Sequence, residues 1–240
     1  MTLAKATLPV LCLAALLLAG CLARSSEPYP EPETRQMALD KRDEFVEAFL
    51  RGRWCEAQSL FLSSTVDYLR QDDFCAAAYN YHLAWRLTAY LGVPDDSMRR
   101  RADRLAKLGL DCGPDLGDKD GEFVGPRDEA WDPLVRDGRF DALLSKVQSE
   151  KDALYASVYG RKGARAAIRR GQNDQARRLL EAVHRRDADL GWLLFIIEDW
   201  KLLAELEPDP ARKQLIQERI ERLEGLIEPC RATPSEGERP

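Results

Sequence analysis

Apolar residues return every three or four positions along most of this chain. "ETRQMALDKRDEFVEAFL", "CEAQSLFLSSTVDYL", "FCAAAYNYHLAWRLTAYL" and "DSMRRRADRLAKLG" all show the step. Such spacing lines one face of a helix, and no segment shows sustained strand alternation. The expected fold class is therefore all-α. Glycine and proline punctuate the pattern at Gly52, Gly92 to Pro94 and Gly109 to Pro114, where helices should end. A Gly-, Asp- and Pro-rich loop at 111–128 lacks helical periodicity. It separates expected helix pairs at 36–110 from about three more at 129–229, with a disordered tail at 230–240.

The first residues follow a different pattern. "MTLAKATLPVLCLAALLLAGC" carries one lysine, then an apolar run from Leu8 to Leu18, then Ala19 and Gly20. The run is shorter than the roughly 20 apolar residues a membrane span needs, and it has the layout of a signal peptide, residues 1–20. Leu18, Ala19, Gly20 and Cys21 resemble the lipobox of bacterial lipoproteins. The resemblance implies a diacylglyceryl group on the Cys21 sulfur, cleavage before Cys21, and a new amine that can be acylated; two or more acyl chains hold a protein stably on a membrane. Leu22, where an Asp tends to retain such proteins at the inner membrane, points to the periplasmic face of the outer membrane. An ordinary secretory signal cut near Ala23 is the alternative. Pro28, Pro30 and Pro32 then favour an extended tether, 21–35, of roughly 40 Å at about 3.1 Å per residue.

Three stretches repeat one design: "FLRGRWCEAQSLF", "LVRDGRFDALLSKV" and "AIRRGQNDQARRLL". Each ends a helix, turns at Gly52, Gly138 or Gly171, and starts the next helix. Five residues on stand Ala57, Leu143 and Ala176, and four beyond the two alanines stand Phe61 and Leu180. A Gly with Ala at +5 and a large apolar residue at +9 resembles the tetratricopeptide repeat. The unit at Gly138 is degenerate, and the Trp-Leu-Gly-Tyr part of the family signature is absent. The resemblance implies stacked antiparallel helix pairs in a right-handed solenoid; an irregular helical bundle with recurrent turns is the other arrangement.

Composition narrows the partners. The chain is 45% hydrophobic and 32% charged with a formal net charge of -5, which argues against general nucleic-acid binding. After export, Cys55, Cys75, Cys112 and Cys230 remain in an oxidising compartment, and four cysteines suggest two disulfides. Pairing Cys55 with Cys75 and Cys112 with Cys230 is the favoured of three connectivities. No CxxC spacing exists and His82 and His184 are the only histidines, so no metal or other cofactor is expected. "DLGDKDGEF" puts Asp118, Asp120 and Gly121 at EF-hand-like positions, but Leu116 and Arg127 fall where carboxylates are needed.

Two surfaces are candidates for partner binding. Tyr79, Tyr81, His82 and Trp85 are expected to line a concave groove suited to an extended segment or helix. A basic stretch with Arg165, Arg169 and Arg170 is suited to an acidic partner, cell-wall carboxylates or lipid phosphates. "GWLLFIIEDWKLLAEL" is the most apolar mature segment and should be central to the core, with a place partly in an interface as the alternative. No nucleophile, phosphate-loop or metalloprotease motif is present. The sequence thus points to a non-enzymatic, lipid-anchored scaffold for an envelope protein partner, similar in layout to tetratricopeptide lipoproteins that assist assembly of outer-membrane proteins, secretins or pili. A cell-wall enzyme using carboxylates in a groove, or a spacer without a ligand, are the alternatives.

Overall fold

The structure, a computed structural model, describes residues 33–93, 95–110, 112, 128–228 and 230. The signal segment, Cys21 and the EF-hand-like stretch lie outside them. The described residues form ten α-helices and no strand. These are α1 (Glu33–Leu50), α2 (Trp54–Arg70), α3 (Phe74–Tyr90), α4 (Asp96–Leu108), α5 (Asp132–Arg136), α6 (Phe140–Ser149), α7 (Ala153–Arg169), α8 (Asn173–Leu190), α9 (Leu193–Leu206) and α10 (Pro210–Glu224). A 3-10 turn, Asp128–Ala130, precedes α5. Helix α1 starts inside the segment expected to be tether.

One turn is used repeatedly. At Gly52, Asp72, Gly92, Gly138, Gly171 and Gly191 the backbone takes positive φ, between 60° and 77°. In each case the next N–H reaches back to the carbonyl five residues before it, as Arg53 does to Ala48 and Gln172 to Ala167, both at 2.9 Å. That closure satisfies carbonyls the helix end leaves open. Except after Gly92, the following helix starts two residues on, and at the Asp72 turn Asp73 caps α3 by accepting from the Ala76 amide; α7, which follows no such turn, is capped by Asp152 accepting from the Tyr155 amide.

The residues that follow the turns are the ones buried. Ala57, Leu143 and Ala176 are fully buried at +5, and Phe61 and Leu180 at +9. The turn at Asp72 repeats this register with Ala77 and Tyr81, and the Tyr81 ring meets Phe61 edge-on at 4.8 Å. Helices therefore stack as neighbouring pairs, α3 on α4, α7 on α8, α8 on α9 and α9 on α10. One core cluster runs from Phe45 through Leu87, Trp131, Leu143, Tyr159 and Leu180 to Phe195, drawing on residues both before and after the 111–128 loop.

Beneath that core lies an ionic knot joining α7, α8 and α9. Arg161, 2% exposed, donates from Nη1 to Asp187 at 2.5 Å and to Asp199 at 3.0 Å, with its guanidinium 3.6 Å from the Phe195 ring centre. Ser157 donates to Asp187, and His184 Nδ1 lies 3.3 Å from Asp199. Burial, opposed by Arg161 and reinforced by Asp199, pushes the Asp187 carboxyl up to about 6.

The two ends of the helical array meet. Gly52, in the α1–α2 turn, sits against Leu193 of α9 and Ile227 beyond α10; a Cβ there would touch Ile227 at 3.5 Å and press Leu193 at 3.3 Å. Its carbonyl accepts from the Glu228 amide at 2.9 Å, and Trp192 Nε1 donates to Glu47 of α1 at 3.0 Å. Cys230 is bonded to Cys55 at the start of α2, Cα to Cα 4.8 Å, and Cys75 to Cys112, 5.2 Å. Both favoured pairings are therefore corrected, and Cys230 belongs to the fold instead of a tail. The start of α3 lies beside the end of α4, where Cys75 contacts Gly109, so Cys112 just beyond is its near neighbour.

Candidate functional site

A groove of about 760 Å³ runs between α1, α3 and the start of α7. Val46, Leu83, Ala153, Leu154 and Trp192 supply its apolar surface, and Arg42, Asp43, Glu47, Arg51, Arg53 and Glu56 its charged rim. Three of the acids on that rim are held by neighbours: Asp43 accepts from Arg42, Glu47 from Arg51 and Trp192, and Glu56 from Arg53. Such pairs are exposed and individually contribute at most about 1 kcal/mol, but they fix where charge stands around the apolar floor.

Tyr79, Leu83, Asp152 and Leu154 also line a smaller, more enclosed pocket of about 200 Å³, so the two cavities adjoin. Its remaining walls are His82, Arg86, Tyr90, Tyr155, Val158 and Tyr159. The pocket is organised around Asp128, 2% exposed. Asp128 accepts from the Tyr155 hydroxyl, from the Tyr159 hydroxyl at 2.6 Å, and lies 3.7 Å from Arg86. Tyr159 is also 2.8 Å from Asp132. Burial first, then these bonds to carboxylates, raise both tyrosines far above their ordinary range, so they remain protonated donors. His82 moves the other way: burial, then Arg86 and Arg99, lower it to about 4, leaving a neutral imidazole at neutral pH.

The expected groove residues divide. Tyr79 lines the groove, 40% exposed, with Arg42 over its ring at 5.9 Å. His82 lines the inner pocket. Tyr81 does not line the groove; it occupies the buried +9 position of its turn and packs on Phe61. Trp85 lines neither cavity, sitting 5.3 Å from His82 under Arg99. Residues 79, 81, 82 and 85 on one helix cannot share one face, because successive side chains turn about 100°.

The basic residues divide as well. Arg165 is half-buried, bonded to Glu198 at 2.8 Å and to the Tyr90 carbonyl at 3.2 Å. Arg169 is exposed, and Arg170 donates to the Arg136 carbonyl over the Phe140 ring. None of the three faces the groove. Arg165 and Arg169 instead share a separate concavity with Arg136 and Lys162.

Sequence reasoning missed Asp128, Tyr155, Tyr159 and Trp192. Tyr155 and Tyr159 stand four apart in "ALYASVYG", a one-face spacing that was there to be read. Asp128 carried no signal, because its partners are distant in sequence. Among the described residues no cluster of three or more His, Cys, Asp or Glu is arranged to hold a metal ion, and no helix is long and apolar enough to cross a membrane.

Fold and groove together define an all-helical protein of stacked helix pairs that presents a groove with a smaller pocket beside it. No family model, curated protein or solved structure matches the chain.

Proposed function

We propose that the protein is a periplasmic lipoprotein, anchored through lipid on Cys21 to the outer membrane, whose helical domain holds a segment of a partner protein in the groove. The observation that carries this reading is the make-up of the groove: an apolar floor, a rim of charges, and a more enclosed aromatic pocket beside it. An extended or helical segment would bury apolar side chains along the floor and place one anchor in the inner pocket, where binding energy concentrates. Asp43, Glu47 and Glu56 are each tied to an arginine, which favours recognition over acid–base chemistry at those three positions.

The test is crosslinking in cells followed by affinity purification from gently solubilised membranes, comparing the parent with Tyr79→Glu. Tyr79 is exposed, so the variant should fold, and it should lose a partner that the parent retains. The same envelope protein recovered equally with both would overturn the groove assignment. Carboxylates on the groove walls, Asp43, Glu47, Glu56 and Asp152, are what favour the second reading, a cell-wall enzyme. Turnover of cell-wall fragments by the purified protein would establish that reading in place of the first. A Cys21→Ser variant should move from the membrane to the soluble fraction; if it stays, the lipid anchor is wrong.

A further inference from the structure

Helix α7 carries a basic stripe at Lys162, Arg165 and Arg169, spaced three and four residues apart so that all three share one face. Arg136, at the end of α5, stands opposite, and the four line a concavity of about 590 Å³ together with Glu129, Asp132, Pro133 and Val135. Among the described residues, three of these four cations have a carboxylate within 4 Å, and Arg169 does not. Asp132 already accepts from Tyr159 and lies 3.6 Å from Lys162, whose ammonium sits 4.7 Å from the Tyr159 ring centre. Glu198 takes Arg165, and Arg136 Nε donates to its exposed sequence neighbour Asp137 at 3.3 Å. Arg169 has no carboxylate partner among the described residues.

We infer that this concavity is a binding site for an organic phosphate, held chiefly by Arg136 and Arg169 with Arg165 and Lys162 at its back. Arg165 is fixed by two bonds before any ligand arrives, which removes part of the ordering cost of binding. Guanidinium groups arriving from two helices suit a tetrahedral anion, which offers oxygens in several directions, better than a planar carboxylate. Pro133 and Val135 give the ester's carbon portion an apolar wall. Glu129, at the same concavity, favours a ligand whose other end is neutral or cationic. The phosphate can belong to a lipid headgroup or to a soluble ester. The site is separate from the groove and does not depend on the partner reading.

The test uses the full chain carrying Cys21→Ser, so that any lipid attached there does not itself bring the protein to vesicles. Binding of glycerol 3-phosphate and of inorganic phosphate would be measured by phosphorus NMR, and binding to phosphatidylglycerol vesicles and to phosphatidylcholine vesicles by co-sedimentation. The combined Arg136→Glu and Arg169→Glu variant should weaken binding at least about tenfold, the loss of two charge-assisted contacts. The equally charged Arg178→Glu and Arg185→Glu variant, altered on α8, should bind within about twofold of the parent. Circular dichroism confirms that both fold. Binding to soluble ester and vesicle alike identifies phosphate in general, and binding to phosphatidylglycerol vesicles alone identifies a headgroup. Equal losses in the two variants would mean a net-charge effect, and no binding by the parent would mean no site; either overturns the assignment.

Discussion

His82 and Asp187 are displaced by burial in opposite senses as far as stability is concerned. His82 is lowered to about 4 from an ordinary value near 6.5, so the unfolded chain binds the extra proton as pH falls and stability drains away between about 6.5 and 4. Asp187 is raised to about 6, so the folded chain binds the extra proton, and the stability this adds below about 3.8 is lost as pH rises through 6. Between about 4 and 6 the two slopes offset each other. Replacing His82 by Gln should leave the Asp187 slope exposed, with stability falling relative to the parent as pH rises through that window. Asp187→Asn should do the reverse. Urea unfolding across the window checks both; parallel pH profiles for the parent and His82→Gln would mean that the imidazole is not held neutral by the fold.

At the scale of the helix, α7 is built to be approached closely. A Cβ at Gly160 would lie 2.2 Å from Val183 Cγ1 of α8, and one at Gly163 would lie 2.3 Å from Leu143 Cδ2 of α6. Alanine is the better helix former by about 1 kcal/mol, but overpacking a core costs about 1–3 kcal/mol, and β-branched Val183 is stiff. Gly160→Ala should therefore destabilise by about 1 kcal/mol, and adding Val183→Ala should relieve the clash component. A higher urea midpoint for Gly160→Ala alone would show that α7 and α8 are not in this contact. The same scale shows what could be read in advance. The turns at Gly52, Gly138 and Gly171 and the small or apolar residues at +5 were legible because local chemistry sets both. The turn at Asp72 was not, since an aspartate seldom takes positive φ, and missing it hid the +9 register that buries Tyr81. The inner pocket was legible only in part. His82 and Tyr79 could be picked from an aromatic-rich helix, but Asp128 and the tyrosines it gathers are brought together by tertiary packing.

For the whole molecule, the decisive feature is the contact between the last described residues and the α1–α2 turn. Cysteine spacing could not foretell it, because the Cys55–Cys230 partnership depends on where α10 ends after every preceding pair has stacked. In the chain-entropy picture the two bridges, with separations of 175 and 37 residues, contribute about 5 and about 4 kcal/mol. The larger bridge also determines how the molecule carries tension. A pull between the two ends passes along α1, crosses the Cys55–Cys230 bond and leaves by the C-terminal residues, so everything from 56 to 229 is spared the load. Single-molecule stretching of the oxidised protein should release only the short length before Cys55 and after Cys230. With a reductant present, about 60 nm more should unravel, the extended length of the 175-residue loop. Under such a pull the pairs from α3 to α10 would stay stacked at forces that would unwind an open stack of helices from its ends, and the groove would lose only the wall that α1 supplies.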